Sequence, residues 1–333
     1  MKRVEGLTIN PERSRRVDYL RFSITDRCNL NCLYCAPVER DRILAREEVL
    51  RYEEIVMLVR AFVKAGIKKL RLTGGEPLGR KDIIDLISML KMIDGLEEIS
   101  VTTNGVYLEN LAGKLKKAGL DRINISLDTL KKERFKSITG LDCFDKVWAG
   151  IEKSLEVGLS PVKLNVIMMK GINDDEITDF VRLALARQLI VRFIEFFPAN
   201  KRFNKLAGYL VKNECVKEEI VKQFGRIERV YKIKGNGPSE YYNIGDSKGI
   251  IGFISNVSRN FCHECNRIRV DCAGRVSPCL FSGHICDLRP FLKNKNGEGE
   301  LLKTINDIIT IKPRFTKRQI ESYCGIEMSS IGG

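Results

Sequence analysis

The chain has 333 residues but only two histidines. No stretch of it approaches the roughly 20 consecutive apolar residues needed to span a bilayer. The scarcity of histidine leaves it poor in the usual general acid–base group. No run of five like charges and no low-complexity tract marks a tail or linker. The N-terminal MKRVEGLTINPERSRRVDYL has basic residues with no apolar run behind them, so it does not read as a secretory signal. A cytoplasmic, reducing setting is expected, where disulfides are rare. The eleven cysteines are then better read as metal ligands or reactive thiols, and their odd number leaves at least one for another fate. With 44% hydrophobic and 30% charged residues, disorder and collagen-like repeats are excluded. The net charge of +14 is consistent with a phosphorylated or nucleic-acid partner, but composition alone favours a lysine-rich solvated surface.

From residue 20 to 197, β-branched runs alternate with longer amphipathic segments. Strands are predicted at 19–25, 68–73, 98–103, 122–127, 162–168 and 191–197, and helices at 53–66, 82–93, 143–158 and 174–188. Gly66, Gly119 and Gly158 each follow a helical run, where a C′ glycine relieves left-handed strain. Strand alternating with helix implies crossover units and a parallel sheet. The fold class is therefore α/β, a partial (β/α)6 TIM-like barrel closed by a smaller C-terminal elaboration, with an open doubly wound sheet as the alternative. The division expected is 1–210 for the barrel and 211–333 for the remainder, where the texture changes to short strands and a cysteine-rich segment. In such barrels the site lies at the carboxyl ends of the strands, where this chain gathers TDR, TGGEP, TTNG, SLD and EFFP.

Cys28, Cys32 and Cys35 stand at C-x3-C-x2-C spacing just after the first predicted strand. Three thiolates on one tight loop can hold three irons of a cubane and leave the fourth open to a small molecule. Structural zinc would want four protein ligands, and no histidine is near. Cys262 and Cys265, with Cys279 further on, make a second set. Because Cys272, Cys286, His263 and His284 lie in the same stretch, spacing there fits a zinc ribbon as well as a second cluster.

The first loop, with Tyr34 before the third cysteine, resembles the signature of radical S-adenosylmethionine (SAM) enzymes, and TGGEP at 73–77 resembles their glycine-rich SAM turn. YLRFSITDRCNLNCLYC, KKLRLTGGEPLGRKD, TTNG, RINISLD, KGIND, VRFIEF, SRNFCHECNRIRV and a terminal Gly332-Gly333 occur in the order seen in the GTP 3′,8-cyclase family. That resemblance implies two [4Fe–4S] clusters, on Cys28, Cys32 and Cys35 and on Cys262, Cys265 and Cys279. Cys143, Cys215, Cys272, Cys286 and Cys324 would then remain thiols. It implies SAM contacts at Tyr34, Gly75, Ser126 and Phe197, the last standing where the family often has methionine; Ala36-Pro37 replaces its usual Met-Pro. GTP contacts fall on Arg21, Arg71, Thr102, Lys163, Arg267 and Arg269, with Lys69 and Arg192 on strands leading to the same mouth. Arg267 and Arg269 would assist cyclisation. The activity implied is cyclisation of GTP to 3′,8-cyclo-7,8-dihydro-GTP through hydrogen removal at C3′ and attack on C8, in molybdenum cofactor biosynthesis. The partners implied are GTP, a flavodoxin- or ferredoxin-like reductant and the downstream cyclic pyranopterin monophosphate synthase, with a homodimer as assembly and neither membrane nor nucleic acid. The Gly-Gly tail could thread toward the substrate.

Overall fold

The β-branched runs become strands β1 (Tyr19–Ser23), β2 (Lys69–Thr73), β3 (Glu98–Thr103), β4 (Arg122–Ser126), β5 (Val162–Met168) and β6 (Leu189–Glu195), each parallel to the next. The computed structural model describes residues 16–35, 43–187, 189–197, 208–231, 233, 237–245, 247, 249–255, 257–259, 265–280, 284–294 and 297–312. Crossover helices α1 (Tyr52–Lys64), α2 (Ile83–Lys91), α3 (Leu108–Lys117), α4 (Lys132–Thr139), α5 (Phe144–Glu156) and α6 (Ile177–Ala186) connect the strands, as a parallel ladder requires. Each buries one stripe: α1 turns Ile55, Leu58, Val59 and Phe62 onto the sheet, against the face of β2 that carries the fully buried Leu70 and Leu72. Gly66, Gly119 and Gly158 hold φ of 100°, 98° and 72° one residue past the caps of α1, α3 and α5, as their spacing predicts.

The expected partial barrel is present, but the sheet does not stop at six strands. After helix α7 (Asn213–Phe224) come β7 (Ile227–Val230), β8 (Glu240–Ile244) and β9 (Ile250–Ile254), and β9 pairs parallel with β6. At the other edge β10 (Arg267–Val270) pairs parallel with β1. Antiparallel strands finish each side, β8 and β7 beyond β9, and β11 (Arg275–Ser277) and β12 (Cys286–Asp287) beyond β10, giving one 12-stranded sheet. Residues beyond 210 thus extend the barrel sheet at both edges. Helices α8 (Arg289–Lys293) and α9 (Glu298–Thr310) follow, and α9 packs against α1. The carboxyl ends of β1 to β6 all open at one end of the sheet, and the polar loops gather there.

Candidate active site

Two loops at that end lean on each other through backbone. Gly75 donates its N–H to Thr25 O at 2.8 Å, and Glu76 donates to Arg27 O at 2.8 Å, so the turn after β2 is laced to the segment leading into Cys28. A Cβ on Gly74 would stand 2.4 Å from Thr25 O, and one on Gly75 would stand 2.2 Å from Arg27 O. Only glycine permits that approach. Glu76 is buried and accepts from Leu78 N (2.9 Å), Thr103 Oγ1 (2.7 Å) and Asn104 N (2.7 Å), tying the turn to the end of β3. Burial lifts its carboxyl to about 7 against these donors.

The cysteine loop is held from a third side. Asn31 and Leu33 donate to Thr139 O and Ile138 O at the end of α4, each at 2.9 Å. The Tyr34 hydroxyl donates to Asp128 Oδ2 at 2.5 Å, while Asp128 Oδ1 accepts from Ile167 N at 2.8 Å. Burial raises the Cys28 thiol, the Cys32 thiol far more, and the Cys35 thiol to about 12, with neighbouring negative groups adding to the effect. Among the described residues, the charges that weigh most on these three are negative. They become thiolates only against a cationic centre, the donor set an iron–sulfur cluster requires.

These thiols line a cavity of about 320 Å³. Gly75, Tyr34, Ser126 and Phe197 line it too, and the bare backbone at Gly75 offers a cradle for a small polar group. The same cavity has a basic lining: Arg21, Arg71, Lys163, Arg192, Arg267 and Arg269 reach it together with Thr102. Arg269, Arg21 and Arg71 stand in register on adjacent strands β10, β1 and β2. Burial and then the neighbouring guanidinium charges push Arg21 well down, and bring Arg269 to about 10. Such a row of like charges facing a cavity suits an anion. Arg71 is held from behind by Tyr19, whose hydroxyl accepts from Nε, and by Thr102 Oγ1, 3.3 Å from Nη1.

Lys69 is the exception. It lies at the amino end of β2, two positions short of Arg71, and does not line the cavity; its charge falls instead on Glu97. Alternation correctly placed both on one face, but a strand advances roughly 3.3 Å per residue, so Lys69 is carried to the far end.

Cys265 and Cys279 reach the cavity on the side of β10; Cys262, their expected partner, lies outside the described residues, as do Ala36-Pro37, Cys324 and the Gly-Gly tail. Burial raises the Cys265 thiol, but Arg267 and Lys312 outweigh it and hold it at about 6, which suits a ligating thiolate. Cys272 and Cys286 do not line the cavity, and Cys272 is buried, with its thiol pushed up to about 12 by burial. Tyr19, Glu76, Asp128, Tyr241 and Lys312 are site residues that no motif in the sequence marks as such. Asp128 and Glu76 had a signal, an acid at a strand end; Tyr241 and Lys312 had none.

The chain matches two family models, the Radical SAM superfamily over residues 22–184 and Molybdenum Cofactor Synthesis C over 189–317. It is 41% identical over 323 residues to the GTP 3′,8-cyclase of Heliobacterium modesticaldum, covering 96% of this chain and 98% of that one. It is 44% identical over 325 residues to the GTP 3′,8-cyclase of Moorella thermoacetica, with the same coverage. The chain belongs to the GTP 3′,8-cyclase family. The fold is shared more widely: Streptococcus suis SuiB, solved bound to S-adenosylmethionine, superposes with a TM-score of 0.63 at 15% identity, over 93% of this chain and 75% of that one. Within the GTP 3′,8-cyclase family, the two matched models divide this chain between β1 through α6 and β6 through α9.

Proposed function

We propose that this protein is a radical SAM cyclase that converts GTP to 3′,8-cyclo-7,8-dihydro-GTP, the first step of molybdenum cofactor biosynthesis. The observation that carries the reading is one cavity lined both by Cys28, Cys32 and Cys35 and by the register row Arg269–Arg21–Arg71. When bound, the clusters and SAM supply the one-electron chemistry that removes a hydrogen from the substrate.

The protein's own groups bind, orient and exclude water. Gly75 and Ser126 present backbone and hydroxyl to SAM, with Tyr34 and Phe197 beside them. Asp128 holds the ligand loop through Tyr34. Arg21, Arg71, Lys163, Arg192 and Arg269 neutralise the triphosphate, which carries close to four negative charges, and guanidinium forks fit its oxygens in pairs. Arg267 and Arg269 hold GTP beside Cys265 and Cys279, with Cys262 as third ligand. Residues 1–210 would carry the SAM half and 211–333 the second cluster and part of the GTP pocket. A flavodoxin- or ferredoxin-like reductant and the cyclic pyranopterin monophosphate synthase complete the route, in the cytoplasm. No helix among the described residues is long and apolar enough to cross a membrane.

The test is anaerobic incubation with SAM, reductant and GTP, followed by mild oxidation and detection of a pterin. About eight irons per chain and a pterin are the expected result; zinc without iron, or deoxyadenosine with no pterin, defeats the reading.

A further inference from the structure

Tyr241 lines the cavity and has no place in the scheme above. Tyr241 on β8 stands in register with Gly252 on β9, Gly252 stands in register with Arg192 on β6, and Arg192 with Asn165 on β5. Residues in register share a sheet face, so the phenol and the Arg192 guanidinium meet over a position with no side chain. A Cβ on Gly252 would come within 3.0 Å of the Tyr241 ring and 2.6 Å of Ser239 Oγ, so glycine is what lets the ring lie across β9. Lys163 on β5, 1% exposed, donates from Nζ to the Tyr241 hydroxyl at 3.0 Å, and its ammonium sits 4.8 Å from the ring centroid. A group that accepts from this buried cation is thus a phenol.

We infer that Tyr241 is the internal counter-ion of the phosphate-binding cavity: its phenolate balances Lys163 and Arg192 before substrate arrives, and it takes up a proton from solvent when a polyphosphate claims those cations. The charged groups acting on it are Lys163 from β5, Arg192 from β6 and Arg122 from β4, with the Ser239 hydroxyl beside it and uncharged Gly252 beneath. Burial raises the phenol, but Arg192 and Lys163 outweigh it and bring it from 10.0 to about 7. Burial likewise brings Lys163 from 10.5 to about 8, with the Tyr241 charge opposing the fall. A bound polyphosphate would cancel that cationic field, and the phenol would return toward its ordinary value of about 10. Binding at pH 8 therefore consumes a proton.

The proposal deepens the GTP reading and rests on it for the identity of the polyphosphate, so the experiment separates the two. Cluster-loaded protein, kept anaerobic and without SAM, is titrated from pH 6 to 9 while tyrosinate absorbance near 295 nm is followed. Tyr241→Phe is measured alongside, since it keeps the ring that packs on Gly252 and Lys163. Wild type should show one tyrosine titrating near neutrality that the variant lacks. Inorganic tripolyphosphate, transparent at that wavelength, should then remove about one tyrosinate at pH 8 from wild type and none from Tyr241→Phe. Calorimetry with GTP in two buffers of different ionisation enthalpy should show about one more proton taken up by wild type than by the variant. No tyrosinate in wild type at pH 8, the same signal in the variant, or binding of either polyphosphate without proton uptake overturns the counter-ion. A tripolyphosphate response with no binding of GTP would keep the counter-ion and overturn the GTP reading.

Discussion

Arg21 and Arg269 face one another in register across β1 and β10, two parallel strands drawn from opposite ends of the chain. Both guanidinium groups are pushed below their ordinary range, first by burial and then by a neighbouring guanidinium, Arg269 acting on Arg21 and Arg267 acting on Arg269. The fold spends stability on holding this row, and an anion returns it.

Replacing Arg269 with Met should therefore raise the melting temperature of the ligand-free protein while weakening GTP binding. The loss corresponds to one charge-assisted hydrogen bond, about 1.5–3 kcal/mol, or roughly 10- to 150-fold in Kd. Thermal unfolding and GTP titration on the same sample check both halves. A less stable variant that binds GTP normally would contradict the like-charge account.

Lys69 and Arg71 give a paired comparison on one strand. Lys69→Ala should leave the GTP Kd within about twofold, since Lys69 does not line the cavity. Arg71→Ala should weaken it at least tenfold, and equal losses at both positions would return Lys69 to the site.

Cys28→Ser should abolish SAM cleavage and remove about four irons of eight, leaving the second cluster's signal. Cys272→Ser should leave iron content unchanged, because that thiol lies outside the cavity. Half the iron missing from the Cys272 variant would make it a ligand.

Gly75→Ala should break the lacing of the two loops, since its Cβ would meet the Arg27 backbone rather than a yielding side-chain tip. The expected outcome is a soluble chain with the second cluster present and the first depleted, read from iron content and electron paramagnetic resonance. A full first cluster with normal SAM affinity would refute this.

The Glu76 carboxyl sits at about 7 in the folded protein against 4.5 ordinarily, chiefly through burial. Between those values the native state keeps a proton that the unfolded chain has released. Its contribution to stability is therefore complete below about pH 4.5 and is lost as pH rises through 7. Glu76→Gln loses part of the hydrogen-bond set, so it is less stable overall, but the fall in stability from pH 5 to 8 should be shallower. Urea unfolding across that range measures the slope, and an unchanged slope would assign the pH dependence elsewhere.

The strands from Tyr19 to Glu195 were legible because β-branched runs and three-to-four-residue helical spacing repeat with clear glycine stops. The cysteine loop and TGGEP were legible because their chemistry is contained in a few consecutive residues. Strand β10 was legible only in part: the alternation in RIRV put Arg267 and Arg269 on one face, but four residues carry no sign of the strand they will join. Nothing local says that β9 continues β6 or that β10 borders β1, because those pairings depend on closing very long loops. Tyr241 stayed hidden for the same reason, as its meeting with Lys163 and Arg192 exists only once β8 is laid beyond β9. Lys69 was misplaced because alternation fixes the face of a residue and not its depth.

The pairing of β1 with β10 also sets the order in which the molecule can be built. As the chain emerges from the ribosome, β1 to β6 can assemble, but the outer edge of β1 has no neighbour until residues 267–270 appear. At about 5–20 residues per second, that interval is on the order of ten to fifty seconds. Throughout it the nascent sheet presents an open strand edge, the feature most prone to pairing with other chains. The polyphosphate pocket is likewise missing one side until β10 docks, so ligand can stabilise the fold only at the end of synthesis and not during it.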